Sequence, residues 1–321
     1  MRCALVGAVD STRVTLEALV DHGSAPLVLC TLPTNKAHLH SDFVDLSPLA
    51  ANYGVPILPT PKSSAAEVLQ ELRELALDYI FVVGWSQICS PEFLAIPSAG
   101  VIGYHPAQLP KNRGRGVLPW TILQGASETG ATIFWMNDGV DSGDVLVQHT
   151  FPVATDETVR SLYDKHMETL PRMWDEAIPL LLAQQAPRVP QDHLQATWCA
   201  KRTPVDGYID WKDGAHTIWR LIRAVGDPYP GAFTFYQRRR LFVWEASYVG
   251  TAPFVGLPGQ VQQISSDGVL VQCGDGEHIR LLQVQFEGEA RNSPAGLLKM
   301  HRKLGIDWLD MVSTIANLAP R

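Results

Sequence analysis

The alternation of short apolar runs with amphipathic stretches, strongest in the first half of the chain, is the feature that most limits its fold. Strand-like apolar runs occupy residues 1–7, 25–32, 79–83, 100–104, 131–136 and 144–149. Apolar side chains recur at helical spacing over residues 11–21, 64–77 and 158–184. Strands that are apolar on both faces are typical of parallel sheets covered by helices. We therefore predict an α/β domain built on a parallel sheet.

The second half of the chain changes character. Prolines and polar residues are frequent over residues 185–204, where we place a linker between two domains. Beyond the linker, short alternating strands separated by polar turns predict a small β-barrel. Residues 295–304 predict a final amphipathic helix. We place the first domain at 1–190 and the second at 200–321.

Composition narrows the class of protein. The 321 residues are 46% hydrophobic and 18% charged, as in ordinary globular proteins, and no apolar stretch approaches the length of a membrane span. The five cysteines are scattered and show no CxxC spacing, which argues against a zinc site and suits a reducing cytoplasm. The formal net charge of −7 argues against nucleic acid as a partner. The glycine motif at residues 7–12, GAVDST, is too incomplete to indicate a nicotinamide cofactor.

His105 and Asp141 are the candidate chemical groups. His105 follows an apolar strand and begins a loop rich in Pro, Gly, Lys and Arg, and Asp141 lies in a second loop between two predicted strands. In open α/β sheets, ligand sites lie at the carboxyl ends of strands. A histidine beside a carboxylate suits proton transfer near neutral pH.

Two motifs give the chain a family resemblance. LPKNRG, followed by ETGATIFWMNDGVDSGDVLVQ, resembles the catalytic domain of the 10-formyltetrahydrofolate-dependent formyltransferases. RTPVDGYIDW and the later LIRAVGDPYPGAFTF resemble that family's second domain, so the resemblance spans nearly the whole chain. It implies a Rossmann-like catalytic domain, an OB-like C-terminal barrel, 10-formyltetrahydrofolate as co-substrate, and no metal.

The resemblance also implies roles for individual residues. His105 and Asp141 match the family's catalytic His and Asp, whereas Gly103 stands where the family has an Asn that helps to hold the oxyanion. Backbone N–H groups near His105, or the side chains of Asn112 and Gln108, are candidate replacements. The folate is expected along two segments, which comprise Gly84, Trp85, Ser86, Gln87 and Ile88, and Asn137, Asp138, Gly139 and Val140.

Basic residues of the LPKNRG loop suggest an anion site. Lys111, Asn112, Arg113 and Arg115 are candidates to bind a diphosphate or the folate glutamate tail, although a solvated loop explains them equally well. His38 and His40 lie in a polar loop over residues 33–46 and are expected to face solvent.

The remaining question is which amine accepts the formyl group. Residues 31–49 hold one Lys, no Arg and two Asp, where the tRNA-specific members carry a basic insertion, and this argues against tRNA. We therefore expect the amino group of a nucleotide-linked amino sugar, with methionyl-tRNA or a natural-product amine as alternatives. A folate-binding protein with little catalysis, or a formyl-folate hydrolase, remains an alternative because of Gly103. The family resemblance leaves a homodimer open.

Overall fold

The computed structural model describes residues 1–39 and 42–306 and divides the chain into two compact units. The first consists of Met1–Thr121, Ala126–Thr155 and Ser161–Lys201, and the second consists of Ile122–Gly125, Asp156–Arg160 and the chain from Arg202 onward. Most of the segment in which we placed the linker thus belongs to the first unit. The reason is pairing, because Val189 exchanges two backbone hydrogen bonds with Val145 of the first unit.

A seven-stranded sheet forms the centre of the first unit. The sheet strands are β1 (Cys3–Val6), β2 (Val28–Thr31), β3 (Ile57–Pro59), β4 (Tyr79–Val82), β5 (Gly100–His105), β7 (Glu128–Trp135) and β8 (Val145–Pro152). A separate two-stranded ladder is formed by β6 (Arg113–Gly114) and β9 (Trp198–Cys199). The sheet order is β3-β2-β1-β4-β5-β7-β8. The five strands from β3 to β5 in this order are parallel to one another, whereas β7 is antiparallel to both of its neighbours, β5 and β8. The predicted α/β class is confirmed, and the antiparallel edge is an addition to the predicted parallel sheet.

Helices cover both faces of this sheet. They are α1 (Asp10–Asp21), α2 (Ser47–Asn52), α3 (Ala66–Glu74), α4 (Pro91–Leu94), α5 (Val117–Leu123) and α6 (Val159–Leu182). In β4, Tyr79 and Phe81 join the core under α1 and α6, whereas Ile80 and Val82 join the core under α3 and α4. This alternation explains why the strands are apolar throughout, since both faces are buried.

The second unit is built on a five-stranded antiparallel sheet and one longer helix. Its elements are α7 (Ala215–Ala224), β10 (Ala232–Tyr236), β11 (Arg239–Gly250), β12 (Val261–Ser265), β13 (Gly268–Gln272) and β14 (His278–Phe286), with the strand order β10-β11-β14-β13-β12. The segment at residues 302–305 bonds to Val261 and Gly259 near one edge, and to Phe235 on the other edge strand. The two edges are therefore joined through this segment, consistent with the predicted barrel-like domain.

The helix predicted over residues 295–304 is not formed. The structure has a three-residue 3₁₀ turn, Pro294–Gly296, and then an irregular segment that pairs with the chain near β12. Leu298 and Leu304 are buried, so tertiary pairing satisfies the apolar pattern that suggested a helix. In the predicted polar loop at residues 33–46, a 3₁₀ helix spans Thr34–Leu39, and His40 lies outside the described residues.

Two further findings concern composition. All five cysteines are free and buried. Among the described residues, no helix combines the length and the apolar character that crossing a membrane requires.

The packing of α1 on the sheet predicts a large stability effect. Leu16 is fully buried, so Leu16→Ala is expected to lower the free energy of unfolding by about 2–5 kcal/mol through lost burial and a residual cavity. Leu194 is 97% exposed, and Leu194→Ala should change the free energy of unfolding by less than about 0.5 kcal/mol. Urea unfolding of the two variants measures the contrast, and equal losses would contradict the packing described here.

Candidate active site

A cleft of about 290 Å³ opens where β4 and β5 end. Its walls come from the loop after β4, the loop around β6 and the loop that precedes β8. The lining residues are Val82, Gly84, Trp85, Ser86, Gln87, Ile88, Cys89, Gly103, Tyr104, Gly114, Arg115, Phe134, Met136, Asn137, Asp138, Gly139, Val140 and Asp141. All nine residues that we predicted along the folate therefore lie on one cleft, although their role in binding stays a prediction.

The cleft suits a flat heterocycle with polar edges. Trp85, Phe134 and Met136 supply apolar surface, and polar residues such as Asn137 and Asp138 lie in the same lining. The indole Nε1 of Trp85 is buried and has no hydrogen-bond partner among the described residues. A buried donor without a partner is costly in a folded protein.

His105 lies at the end of β5 and is only 5% exposed. Its Nε2 is 2.7 Å from the carbonyl oxygen of Asn112, and its Nδ1 is 3.5 Å from Oδ2 of Asp141. A carbonyl oxygen only accepts, so Nε2 carries a hydrogen and donates it. Nδ1 is therefore the nitrogen that gains or loses a proton while the Asn112 bond remains. It faces the carboxylate of Asp141, which lines the cleft.

Asp141 is held in an unusual backbone conformation. Its φ is 49°, in the left-handed region that Asp tolerates better than most residues. The backbone N–H of Gly114 donates to Oδ2 at 2.8 Å, which fixes the carboxylate beside His105. A Cβ at Gly143 would lie 1.7 Å from the carbonyl oxygen of Trp135, so the loop can return to the sheet only with glycine at that position.

Gly103 has a steric explanation that the sequence did not reveal. A Cβ at this position would lie 2.8 Å from Cε1 of Phe134 and 2.9 Å from Cγ of Met136. Gly103 pairs directly with Phe134 in the ladder between β5 and β7. The space of the expected Asn side chain is thus filled by apolar groups. Phe134 and Met136 were missed as site residues because only the strand register brings them to Gly103.

Next to His105 in the chain, the half-buried Tyr104 forms a second pair, with the buried His166, that the sequence did not indicate. The hydroxyl of Tyr104 is 3.0 Å from Nδ1 of His166, on α6, and Phe151 meets the His166 ring edge-on. Burial, reinforced by the nearby His105, lowers the pKa of His166 to about 3. His166 is therefore neutral at physiological pH.

The predicted anion-binding residues of the LPKNRG loop are not equivalent. Arg115 lines the cleft, whereas Lys111, Asn112 and Arg113 do not. Arg113 is only 3% exposed, and its guanidinium donates to Gln191 and His193, so its predicted role as a substrate ligand is corrected to a structural one. Gln108 also lies outside the lining. Within residues 1–39 and 42–306 no group of three or more His, Cys, Asp or Glu is arranged to hold a metal ion.

Comparison with known proteins places this fold in a family. The sequence model described as "Formyl transferase" matches residues 38–178, and "Formyl transferase, C-terminal domain" matches residues 201–302. A methionyl-tRNA formyltransferase of Geotalea uraniireducens is 33% identical over 293 residues, which cover 91% of this chain and 92% of that protein. The chain belongs to the formyltransferase family.

Solved structures share the fold at lower identity. WlaRD, a sugar 3N-formyltransferase crystallised with dTDP and 5-N-formyl-THF, has a TM-score of 0.65 at 17% identity over 90% of this chain and 99% of its own. HypX from Aquifex aeolicus, in complex with tetrahydrofolic acid, has a TM-score of 0.63 at 18% identity over 93% of this chain and 47% of its own. The family resemblance, the fold and the assignment as a formyltransferase are thereby confirmed.

The expectation about the acceptor is overturned. We argued against tRNA and for a nucleotide-linked amino sugar, but relatives that match over nine-tenths of the chain are methionyl-tRNA formyltransferases. The sugar formyltransferase that we compared is similar only at the level of fold. Net charge and one loop were insufficient grounds, because phosphate-binding residues can come from any part of a surface.

The filled space at Gly103 predicts a stability effect. Gly103→Asn is expected to lower the free energy of unfolding by about 1–3 kcal/mol, because the new side chain meets Phe134 and Met136. Combining it with Phe134→Leu should recover part of the loss. Gly54, with open space around its Cβ and a φ that Asn tolerates, provides the control variant Gly54→Asn. Thermal unfolding of the four proteins checks this, and a Gly103→Asn protein as stable as wild type would contradict it.

The neutral His166 predicts a pH dependence of stability. Its pKa is about 3 in the folded protein and 6.5 when unperturbed, so the unfolded chain binds a proton in this window that the folded protein does not. The stability that depends on a neutral His166 is fully present above pH 6.5. It is lost as the pH falls toward 3, by up to about 1.4 kcal/mol per pH unit. Urea unfolding between pH 7.5 and 4.5 should show a shallower fall for His166→Gln than for wild type. Parallel profiles for the two proteins would refute the effect.

Proposed function

We propose that the protein transfers the formyl group of 10-formyltetrahydrofolate to the amino group of methionyl-tRNA. The observation that carries this proposal is the pairing of His105 Nδ1 with Asp141 beside the cleft, in a chain 33% identical to a methionyl-tRNA formyltransferase over nearly its full length. The cleft, to which Trp85, Phe134 and Met136 supply apolar surface, suits the folate co-substrate.

Proton transfer is assigned to Nδ1 of His105. The amine attacks the formyl carbon and a C–N bond forms, while the bond from that carbon to the folate nitrogen breaks. His105 accepts the amine proton at Nδ1, directly or through water, and returns a proton to the departing folate nitrogen. Asp141 stabilises the charged imidazole between these two events. The Asn112 carbonyl keeps the ring orientation unchanged throughout, because Nε2 stays protonated.

The oxyanion is stabilised without a side chain at position 103. Losing one oxyanion donor costs on the order of a hundred- to a thousandfold in rate, so a replacement is required for efficient transfer. Asn112 and Gln108, which we considered from the sequence, do not line the cleft. Arg115 lines the cleft, so we assign the role to its guanidinium.

The acceptor is tested by direct turnover. The protein is incubated with 10-formyltetrahydrofolate and methionyl-tRNA, and tetrahydrofolate release is followed together with formyl-methionine on the tRNA. Free methionine and uncharged tRNA serve as negative acceptors, and an amino-sugar nucleotide as a competing one. Formylation of methionyl-tRNA alone is expected. Tight folate binding without any turnover would instead identify a folate-binding protein, and formate release without an acceptor would identify a hydrolase.

The proposed roles of His105 and Asp141 predict a clear loss of activity. His105→Ala and Asp141→Asn should each lower kcat by at least about a hundredfold while leaving the fold and folate affinity unchanged, because both groups act on the transferred proton. His149, half-buried and paired with Glu176, provides the control variant His149→Ala, which should keep normal kcat. Steady-state kinetics and folate binding by fluorescence measure these effects. Near-normal turnover by either site variant would overturn the mechanism.

A further inference from the structure

Gln191 is a buried side chain whose entire hydrogen-bonding capacity is used. Its Nε2 donates to the carbonyl oxygens of Asp141 at 2.9 Å and Gly143 at 2.6 Å. Its Oε1 accepts from Nη2 of Arg113 at 2.6 Å and from Nε at 3.2 Å. The guanidinium only donates, so the orientation of the amide is fixed by chemistry. Two donors and two acceptor sites are therefore satisfied at once, with the side chain only 7% exposed.

These bonds fasten two cleft-lining loops to each other. Arg113 belongs to the loop around β6, and Asp141 and Gly143 belong to the loop before β8. A second link runs alongside the first, since Gly114 N–H donates to the Asp141 carboxylate. The position of that carboxylate relative to His105 thus depends on both the backbone held by Gln191 and the loop anchored by Arg113.

The segment that carries Gln191 is itself attached along its length. Val189 pairs with Val145, Thr197 Oγ1 accepts from the backbone N–H of Asn112, and Trp198 and Cys199 form β9 against β6. The same Asn112 supplies the carbonyl that orients His105. Residues 189–199 therefore hold the surroundings of both groups of the His105–Asp141 pair.

We infer that Gln191 is a positioning residue for formyl transfer, acting through Asp141 to keep its carboxylate beside Nδ1 of His105. This inference rests on the proposed function. Misplacement of a reacting group by about 1 Å can cost about a hundredfold in rate. Gln191→Met removes all four hydrogen bonds at similar size and should lower kcat about ten- to a hundredfold, with KM for formyl-folate within about twofold of wild type.

Two selective variants separate the halves of the contact. Gln191→Glu keeps an acceptor for Arg113 but replaces the NH2 group that donates to the Asp141 loop with one carboxylate oxygen that faces two carbonyls, so it should lose kcat as Gln191→Met does. Arg113→Met removes the anchor but leaves the bonds to Asp141 and Gly143, and its kcat should lie between those of wild type and Gln191→Met. A Gln191→Glu protein with wild-type kcat would overturn the inference.

Two measurements distinguish the positioning of Asp141 from a purely structural role of Gln191. They are the coupling between substitutions at the two residues and a matched control variant. If Gln191 acts through Asp141, Gln191→Met should lower kcat little or not at all further in an Asp141→Asn background. Independent losses that multiply would refute the coupling. Gln272, equally buried in the second unit and also donating to a carbonyl, gives the control Gln272→Met, which should affect thermal stability without changing kcat.

Hydrogen exchange tests the inference without any acceptor. Amide exchange over residues 137–145 and 110–116 should accelerate in Gln191→Met and stay unchanged in Gln272→Met. Unchanged exchange over residues 137–145 would overturn the inference whatever the substrate proves to be. A wild-type protein that fails to formylate methionyl-tRNA would overturn the proposed function instead, while accelerated exchange would still support the loop contact.

Discussion

The hydrogen bond from His105 Nε2 to the Asn112 carbonyl determines how the rest of the site works. It assigns one ring nitrogen to the protein and leaves Nδ1 to exchange protons beside Asp141. A histidine with two free nitrogens could rotate between alternative partners, whereas this one has a single orientation and tautomer when neutral. Asn112 can serve because its left-handed φ of 56° is one that Asn tolerates, which helps the loop to turn its carbonyl toward β5. The chemistry of the pair is therefore set by loop geometry as much as by residue identity.

Gly103 and Phe134 illustrate how a missing polar group is accommodated by packing. A glycine in a central strand loses side-chain contacts and costs conformational entropy, so its presence needs a compensation. The compensation is the Phe134 ring and Met136, which occupy the vacated space from the neighbouring strand. An empty space beside the cleft would have lost dispersion contacts or admitted water, and neither occurs when apolar atoms fill it. The cleft wall is consequently more apolar here than a wall bearing an Asn.

The sequence predicted what depends on local pattern and failed where distant segments meet. Apolar runs such as CALV and YIFV predicted β1 and β4, because strands buried on both faces leave a continuous signature. Asp141 and both folate-side segments were placed from motifs and line one cleft in the structure, and His105 lies beside Asp141. The prediction of a helix over residues 295–304 was wrong, because Leu298 and Leu304 are buried where this segment pairs with the chain near β12. The contact of Arg113 with Gln191 was invisible, since 78 residues separate the two.

The extent of the first unit follows from the same long-range contacts. A boundary at residue 190 agrees with composition, because prolines and polar residues are frequent over residues 185–204. Yet Gln191, Thr197 and Cys199 complete the bonding of the loops around β6 and β8, so a chain ending at 190 would leave the carbonyls of Asp141 and Gly143 without the donors they have in the structure. Buried polar groups that lose their partners are destabilising. The unit is therefore complete only where its last hydrogen bonds are made, near Lys201, and the segment that sequence composition marks as a linker is part of the architecture of the site.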